Sequence, residues 1–445
     1  MGRHTLTGLL ATSGRQFCDW SADYRLFSEE RFDPDRLFSV VLDDLLEQLP
    51  EDAPLVAAMD DSILHKTGTR IPGVGDRRDP LGPPFRTNFI RGQRVLQISA
   101  ALPEGPRPSA ARMIPLAFKQ APTPKKPRRT DPPEAWCQYR KAQRDSNISL
   151  KGAEGLKALR SKLDRHPWGS NRELRVVVDG GYTNRTVMRN LPENTTLIGR
   201  TRKDTKLYHL PEEDSGPRIG RKVNYGERAP TPEEFQTDPS VPWQTVEAWA
   251  TGKSHQFKVK SLGSLRWRTI GPNRDLRLVV IAPLAYRLRK HSRVLYRKPA
   301  YLLCTDPGLS LEEILQSYLW RWDIEVNFRD EKQLIGVGEA QVRKEASVEG
   351  VPAFQVASYA MLLLSAHKAF KDSPTHGSLP SPKWRRRKGN HRASTQDLIN
   401  HLRAELWSTF MGMDSFSGFR SSNSLYAKPK KLRPSLDSAV LYATG

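Results

Sequence analysis

Two short apolar runs in the chain, at residues 55–59 and 174–178, each stop at an aspartate. Runs of this length between turn residues are typical of strands that are buried on both faces of a sheet. The first run is followed by Asp60 and Asp61, and the second by Asp179 and two glycines. The pattern therefore predicts two central strands that present carboxylates where they end.

Other stretches show helical spacing of their apolar residues. They lie at residues 37–49, 134–165, 310–335 and 350–370. Ser310 and Glu313 form a capping-box pair at the start of the third stretch. Residues 103–133 are rich in proline, lysine and arginine and are predicted to be irregular, whereas residues 205–300 alternate apolar and polar positions in short runs and predict strands.

The charge of the chain points to a polyanionic partner. The chain has 445 residues, with 71 lysines and arginines against 49 aspartates and glutamates, and so a net charge of +22. These charges run along the whole length, which favours nucleic acid as the partner. Three separated cysteines without CxxC spacing indicate neither a disulfide framework nor a zinc site. Because we recognise no secretory signal and no apolar run of the ~18–20 residues that a membrane span needs, we expect a cytoplasmic protein without membrane association.

Residues 318–332, YLWRWDIEVNFRDEK, combine aromatic, basic and acidic side chains. On a regular helix of roughly 100° per residue, four of these side chains fall within an arc of about 60°. They are Tyr318, Arg321, Glu325 and Lys332. Apolar residues border this polar stripe on both sides, which is unusual for a face in contact with solvent. The alternative is an ordinary amphipathic helix with an Arg321–Glu325 pair worth roughly a few tenths of a kcal/mol.

The spacing of these four residues resembles the hallmark of a known family. That hallmark is Tyr, two residues, Arg, three residues, Glu, six residues, Lys, and it belongs to the bacterial cut-and-paste transposases of the DDE type, in the insertion-sequence-four group and its near relatives. A second hallmark, a strand ending in Asp with Ser or Thr two residues later, resembles Asp60 and Ser62. A third, a strand ending in Asp before small residues and an aromatic, resembles Asp179 and Tyr182. The resemblance covers nearly all of residues 1–370.

The resemblance implies an α/β fold, a ribonuclease-H-like mixed sheet with flanking helices, on which Asp60, Asp179 and Glu325 converge as catalytic residues and metal ligands. Two Mg²⁺ ions fit such a set, because Mg²⁺ prefers carboxylate oxygens and two ions together activate the attacking oxygen and stabilise the leaving one. Mn²⁺ is expected to substitute. The residues that the resemblance assigns to DNA binding are Tyr318, Arg321 and Lys332. The expected partners are transposon ends and target DNA, held by a synaptic homodimer.

The order of elements, together with the resemblance, predicts a chain of five parts in which a β-rich insertion lies between the second Asp and the Glu. The parts are a helical DNA-binding region at 1–50, the first part of the catalytic domain at 51–204, the insertion at 205–297, the second part of the catalytic domain at 298–372, and a basic linker with a C-terminal helix and tail at 373–445. The predicted function is Mg²⁺-dependent cleavage of transposon ends and strand transfer into target DNA.

Two choices stay open at the level of the residues. Successive side chains of a strand point to opposite faces, so only one of Asp60 and Asp61 enters a metal site, and a strand that is apolar on both faces does not say which. In the resembled family the ligand stands two residues before the Ser or Thr, which implies Asp60. The alternative functions are a non-catalytic or domesticated DNA-binding descendant of a transposase and another ribonuclease-H-like DNA nuclease.

Overall fold

The structure of the protein is a computed structural model. It describes residues 4–79, 82–83, 85–86, 88–122, 124–211, 223–288, 291–371 and 392–410. Most of the predicted basic linker, at 372–391, and the predicted polar tail, at 411–445, lie outside the described residues.

Eleven α-helices, one 3₁₀ turn and one π-helical turn lie in the described part of the chain. The α-helices are α1 (Leu6–Thr12), α2 (Ser21–Ser28), α3 (Pro34–Gln48), α4 (Pro133–Asp145), α5 (Ile148–Arg165), α6 (Arg185–Arg189), α7 (Pro232–Thr237), α8 (Leu311–Trp320), α9 (Asp323–Asp330), α10 (Glu345–Phe370) and α11 (Thr395–Phe410). The 3₁₀ turn spans Arg15–Phe17, and the π-helical turn spans Glu331–Ile335 directly after α9.

The strands of the described chain form one large mixed sheet and one small ribbon. They are β1 (Leu55–His65), β2 (Val74–Arg78), β3 (Phe89–Pro103), β4 (Ala111–Gln120), β5 (Leu174–Val178), β6 (Thr195–Arg200), β7 (Tyr208–His209), β8 (Gln244–Ala250), β9 (Lys253–Trp267), β10 (Gly271–Ile281), β11 (Ala285–Tyr286), β12 (Leu295–Tyr296) and β13 (Ala300–Cys304). The large sheet has the order β2-β3-β1-β5-β6-β13-β10-β9-β7, with β4 paired to β3 and β8 to β9, while β11 and β12 form the ribbon. β1, β5 and β6 pair in parallel, and the other neighbours pair antiparallel.

Buried apolar residues cover both faces of the central strand β1. On one face Met59 belongs to a core that α5 closes, and the helix approaches so closely that a Cβ at Gly152 would lie 3.0 Å from the Met59 sulfur. On the other face Ala58 shares a core with Ile314 of α8 and Ile324 of α9. The predicted α/β architecture, a mixed sheet with flanking helices, is confirmed, whereas the division into five parts and the insertion stay predictions.

The prediction that residues 103–133 are irregular was wrong for β4. Met113, Ile114 and Phe118 are buried, and β4 pairs antiparallel with β3 over its length. Pro115 lies opposite Ser99, beside a shift in register, so the N–H that proline lacks falls at an irregularity of the ladder. The proline and basic content of the whole stretch concealed this apolar segment.

The prediction of one regular helix over 310–335 was also wrong. α8 ends at Trp320 and α9 begins at Asp323, with Arg321 and Trp322 in a turn between them. Backbone bonds in this turn close three-residue steps, as from Trp322 N to Leu319 O at 3.3 Å. The π-helical turn then widens the end of the segment. The angular positions computed for a regular helix therefore do not apply to all four residues of the stripe.

Side-chain caps decide where two of the helices begin. Ser310 is the N-cap of α8, and its hydroxyl accepts a hydrogen bond from the Glu313 backbone N–H at 3.2 Å. The stretch predicted as one helix at 134–165 is two helices, because Asn147 caps α5 by accepting from Ser149 N at 2.9 Å.

Of the described helices, α10 has the length and apolar composition of a membrane span, and more than half of its most apolar window is buried. It packs against β4 and α3 inside the protein. Core helices of globular proteins have the same composition, so α10 alone gives only weak evidence of a membrane span.

Candidate active site

Asp60 lies where β1 leaves its parallel partner. β1 pairs with β5 as far as Met59, which stands opposite Val178, and it continues to His65 through its pairing with β3. The strand therefore passes through the aspartates, and the prediction that it ends at them was wrong. Because Asp179 directly follows Val178, the parallel register brings Asp60 and Asp179 to neighbouring positions.

The carboxylate of Asp60 is largely buried and surrounded by charges of both signs. Its Oδ1 accepts a hydrogen bond from Asp61 N at 2.8 Å, and its Oδ2 lies 3.5 Å from Arg321 Nη1. Burial raises the pKa of Asp60 to about 7, and the negative charge of Asp179 adds to this rise while the backbone hydrogen bond and Arg321 oppose it. A further positive charge at this position would favour the ionised form of Asp60.

Asp179 is held by the turn that follows β5. Its Oδ1 accepts hydrogen bonds from Gly181 N at 2.8 Å and from Tyr182 N at 3.3 Å. A Cβ at Gly181 would lie 3.1 Å from the same oxygen, so a larger residue here would crowd the carboxylate. The hydroxyl of Thr183 closes the turn by donating to Asp179 O at 2.9 Å. This side-chain turn orients the carboxylate before any ligand arrives.

Glu325 reaches the same site from α9. Its side chain is 42% exposed. Burial raises the pKa of Glu325, the charge of Arg321 lowers it, and the negative charge of Asp179 raises it further. Asp60 and Glu325 thus both experience the charge of Asp179. Asp179 therefore lies within electrostatic range of both other carboxylates, which the sequence placed in separate segments.

Arg321 places a positive charge between two of these acids. Its guanidinium lies 3.5 Å from Asp60 Oδ2 and 3.8 Å from Glu325 Oε1. The side chain is about one-tenth exposed, its Nε has no hydrogen-bond partner within the described structure, and its Cζ lies 5.8 Å from the centre of the Tyr318 ring. The Arg321–Glu325 ion pair expected for an ordinary amphipathic helix is therefore present. The same guanidinium also contacts Asp60, so the pair is not isolated on the helix.

Asp61 points away from this cluster and has its own partners. Its Oδ1 accepts a hydrogen bond from Tyr182 OH and its Oδ2 one from Arg94 Nε, both at 2.6 Å. Burial and the negative charge of Asp61 raise the pKa of Tyr182, so the phenol stays protonated and donates. The geometry thus places Asp60 beside Asp179 and on the same arginine as Glu325, whereas Asp61 is bonded to Tyr182 and Arg94.

Lys332 lies on the Asp60 side of β1 but further along the strand. It belongs to the π-helical turn, and its Nζ donates to Ser62 Oγ at 2.6 Å. Burial lowers the pKa of Lys332, and the neighbouring Glu331 opposes that change. Ser62 and Asp60 are two residues apart and so share a face of the strand. The π-helical turn, a feature frequent at functional sites, aims the lysine toward this face.

Sequence reasoning missed two residues of this region, Gln97 and Glu331. Gln97 of β3 stands opposite Asp60 in the antiparallel register, and its Nε2 donates to Glu331 Oε1 at 2.9 Å. Glu331 is completely buried, and burial raises its pKa to about 8. The available signal was Gln97 with Ser99, two polar residues spaced by two within the apolar run of β3. The hydrogen bond from Gln97 holds Glu331, the residue that precedes Lys332, in place.

We expect Glu331→Gln to flatten the pH dependence of folding stability between about pH 5 and pH 8. The folded pKa of about 8 lies above the ordinary value of 4.5, so the folded wild-type protein binds the extra proton in this window and loses stability as the pH rises. Glutamine does not ionise and should remove a slope of at most about 1.4 kcal/mol per pH unit. Urea unfolding at several pH values measures this slope.

The exposed Glu312 of α8 supplies the matched control for that experiment. Glu312→Gln makes the same chemical change where no burial penalty exists, and it should retain the wild-type slope. Equal slopes for Glu331→Gln and the wild-type protein would contradict the buried, protonated carboxyl.

The donor types of the site fit a hard divalent cation, and an arginine stands between two of the donors. Asp60, Asp179 and Glu325 supply carboxylate oxygens, which Mg²⁺ and Mn²⁺ prefer. Within the ranges that the structure describes, no group of three or more His, Cys, Asp or Glu side chains is close enough to hold a metal ion. The guanidinium of Arg321 stands between Asp60 and Glu325 and shows that the acids accept a cationic group.

A mixed α/β sheet with one aspartate on a strand, a second directly after the neighbouring strand and a glutamate on a helix is an arrangement typical of nuclease-type enzymes. Residues 1–269 match the family model described as DDE superfamily endonuclease, and the chain belongs to that family. The match includes Asp60 and Asp179 and ends before Glu325. No curated protein matches the chain. The family implies DNA as the substrate and confirms the resemblance to DDE-type proteins, whereas membership of the insertion-sequence-four group and the Tyr-Arg-Glu-Lys motif stay predictions.

Proposed function

We propose that the protein is a DNA transposase that cuts the ends of its own element and joins the 3′ ends to target DNA. The proposal is carried by the register that sets Asp60 beside Asp179, and by the contacts of Arg321 with Asp60 and Glu325, in a chain that belongs to the DDE endonuclease family. The net charge of +22 supports DNA as the partner. We further propose that it belongs to the insertion-sequence-four group, acts as a synaptic homodimer and works in the bacterial cytoplasm.

The three carboxylates would hold two Mg²⁺ ions, with Mn²⁺ as a substitute. When bound, such ions supply an activated oxygen nucleophile and stabilise the leaving oxygen. Arg321 would contact a phosphate with its planar fork and Lys332 with a point charge, while Tyr318 would pack against the terminal nucleotide. A phosphate near Arg321 would compete with Asp60 and Glu325 for the guanidinium, because a single guanidinium has only five N–H donors.

Incubation of the purified protein with duplex DNA from the regions that flank its coding sequence tests this function. We expect strand cuts and joined products when Mg²⁺ is present, and none when a chelator removes it. Cuts without joined products would favour another ribonuclease-H-like nuclease. Binding without cuts in either Mg²⁺ or Mn²⁺ would favour a non-catalytic descendant.

We expect Lys332→Ala to weaken binding of this DNA and to reduce its dependence on salt. Loss of one phosphate contact lowers the slope of log affinity against log salt by about 0.9 on duplex DNA. Lys141→Ala, at an exposed position of α4, removes the same charge elsewhere and is the control. An unchanged slope for Lys332→Ala would instead assign the lysine a structural role, through Ser62 and Glu331.

A further inference from the structure

A groove of about 1000 Å³ opens beside Lys332. One wall is the loop that follows β1, and the other is the segment that follows the π-helical turn. The residues on which its chemistry depends are His65, Thr67, Arg70, Lys332, Glu339 and Arg343. Lys332 joins the groove to the proposed active site, because its ammonium group bonds to Ser62, two residues after Asp60.

The charge of this groove is positive and partly uncompensated. Glu339 is the acidic residue among those that line the groove. Its carboxylate lies 2.9 Å from the imidazole of His4 and is therefore already engaged by another side chain. Arg70 and Arg343 are exposed and face the groove from opposite walls. Neither of the two forms an ion pair within the described residues. Two guanidinium groups on opposite walls favour an anion between them.

The two walls are fastened to each other before any ligand binds. Lys66 crosses from the first wall, and its Nζ donates to Gly338 O and to Ala340 O of the second, the latter at 3.0 Å. Gly336 and Gly338, in the second wall, have φ of +76° and +96°, a left-handed backbone conformation that favours glycine. Lys66 is therefore a structural lysine, and the groove is preformed rather than assembled around its ligand.

We infer that the groove binds the sugar-phosphate backbone of one DNA strand, the strand continuous with the phosphodiester at the proposed active site. This inference rests on the proposed function for the position of that phosphodiester. The volume lies at the upper end of small-ligand pockets, so a few nucleotides of a single strand fit and a duplex does not. Arg70 and Arg343 bind successive phosphates, and Thr67, which also lines the groove, donates its hydroxyl to a phosphate oxygen.

The test compares two DNA probes on the full chain. One is a blunt duplex from the DNA that flanks the coding sequence, and the other is the same duplex with a short single-stranded tail. We expect the wild-type protein to bind the tailed probe more tightly. If two phosphates of the tail are contacted, this advantage falls about sevenfold between about 50 and 200 mM salt, from a slope of about 0.7 for each single-strand phosphate.

The double variant Arg70→Ala/Arg343→Ala should bind both probes equally. Because both side chains are exposed, it should keep the wild-type melting temperature. The control is Arg140→Ala/Arg144→Ala on α4, a helix without buried residues, which removes the same charge and should keep the advantage of the tail. An equal loss of affinity for both probes, or no change in the advantage, overturns the inference.

The outcomes separate this inference from the proposed function. A tail advantage that depends on Arg70 and Arg343 in a protein that cuts no DNA would uphold the groove and refute the transposase. Cleavage and joining that proceed while the tail advantage is absent, or is insensitive to the two arginines, would uphold the transposase and refute the groove.

Discussion

Replacing Glu325 with glutamine is expected to abolish Mg²⁺-dependent DNA cleavage while leaving DNA binding nearly unchanged. The substitution removes a proposed metal ligand and keeps the shape of the side chain. Metal ions contribute several kcal/mol to such reactions, and each ~1.4 kcal/mol is tenfold in rate, so we expect a loss of about a thousandfold or more. A gel-shift assay and a nicking assay on the same duplex measure the two properties.

The structure predicts little cost in folding for this variant. The Arg321–Glu325 pair is long, at 3.8 Å, and its acid is partly exposed, so the pair contributes little to stability. Glu312→Gln, on the exposed face of α8, is the matched control and should cut at the wild-type rate. A Glu325→Gln variant that loses binding in proportion to cleavage would assign the residue to DNA contact instead.

Asp60→Asn and Asp61→Asn are expected to have different effects on activity and opposite effects on stability. Asp60→Asn should eliminate cleavage and should raise stability at alkaline pH, because burial raises the pKa of Asp60 to about 7 and the ionised form destabilises the folded protein above that pH. Asp61→Asn should keep substantial activity and should lose about 1–3 kcal/mol of stability, because the Arg94 guanidinium loses its charged partner.

Nicking rates and thermal unfolding at about pH 8 measure both variants together. Each substitution exchanges one carboxylate for an amide in adjacent residues of β1, so each variant is the control for the other. Retained cleavage in Asp60→Asn combined with lost cleavage in Asp61→Asn would mean that the proposed first ligand is displaced by one residue.

Local pattern was sufficient for the parts of the protein that depend on neighbours in the chain. Apolar runs predicted the buried parts of β1 and β5, and helical spacing predicted α3 and α10. The same approach failed at β4, where a composition rich in proline and basic residues masked a segment that β3 completes. β4 forms its ladder hydrogen bonds with β3, a partner that lies outside the local composition of the segment.

In the candidate site, too, local pattern identified the residues, whereas their arrangement depends on distant segments. Sequence reasoning and the resemblance named Asp60, Asp179, Glu325 and their basic neighbours, because each lies in a recognisable local motif. The position of Arg321 between two acids depends on the turn that separates α8 from α9. A regular helix was the reasonable expectation, since nothing in the local pattern marks a change from four-residue to three-residue hydrogen bonding.

By itself, the sequence determined that this is a basic α/β protein of 445 residues with aspartates next to buried apolar runs and a polar stripe in a late helical segment. Tertiary structure alone decided that Asp60 and Asp179 stand side by side, that Asp61 turns to Arg94, and that Gln97 meets Glu331. The physical reason is that local propensity and periodicity act over a few residues, whereas these contacts follow from the registers of β1 with β5 and β3, which hydrogen bonds between distant segments establish.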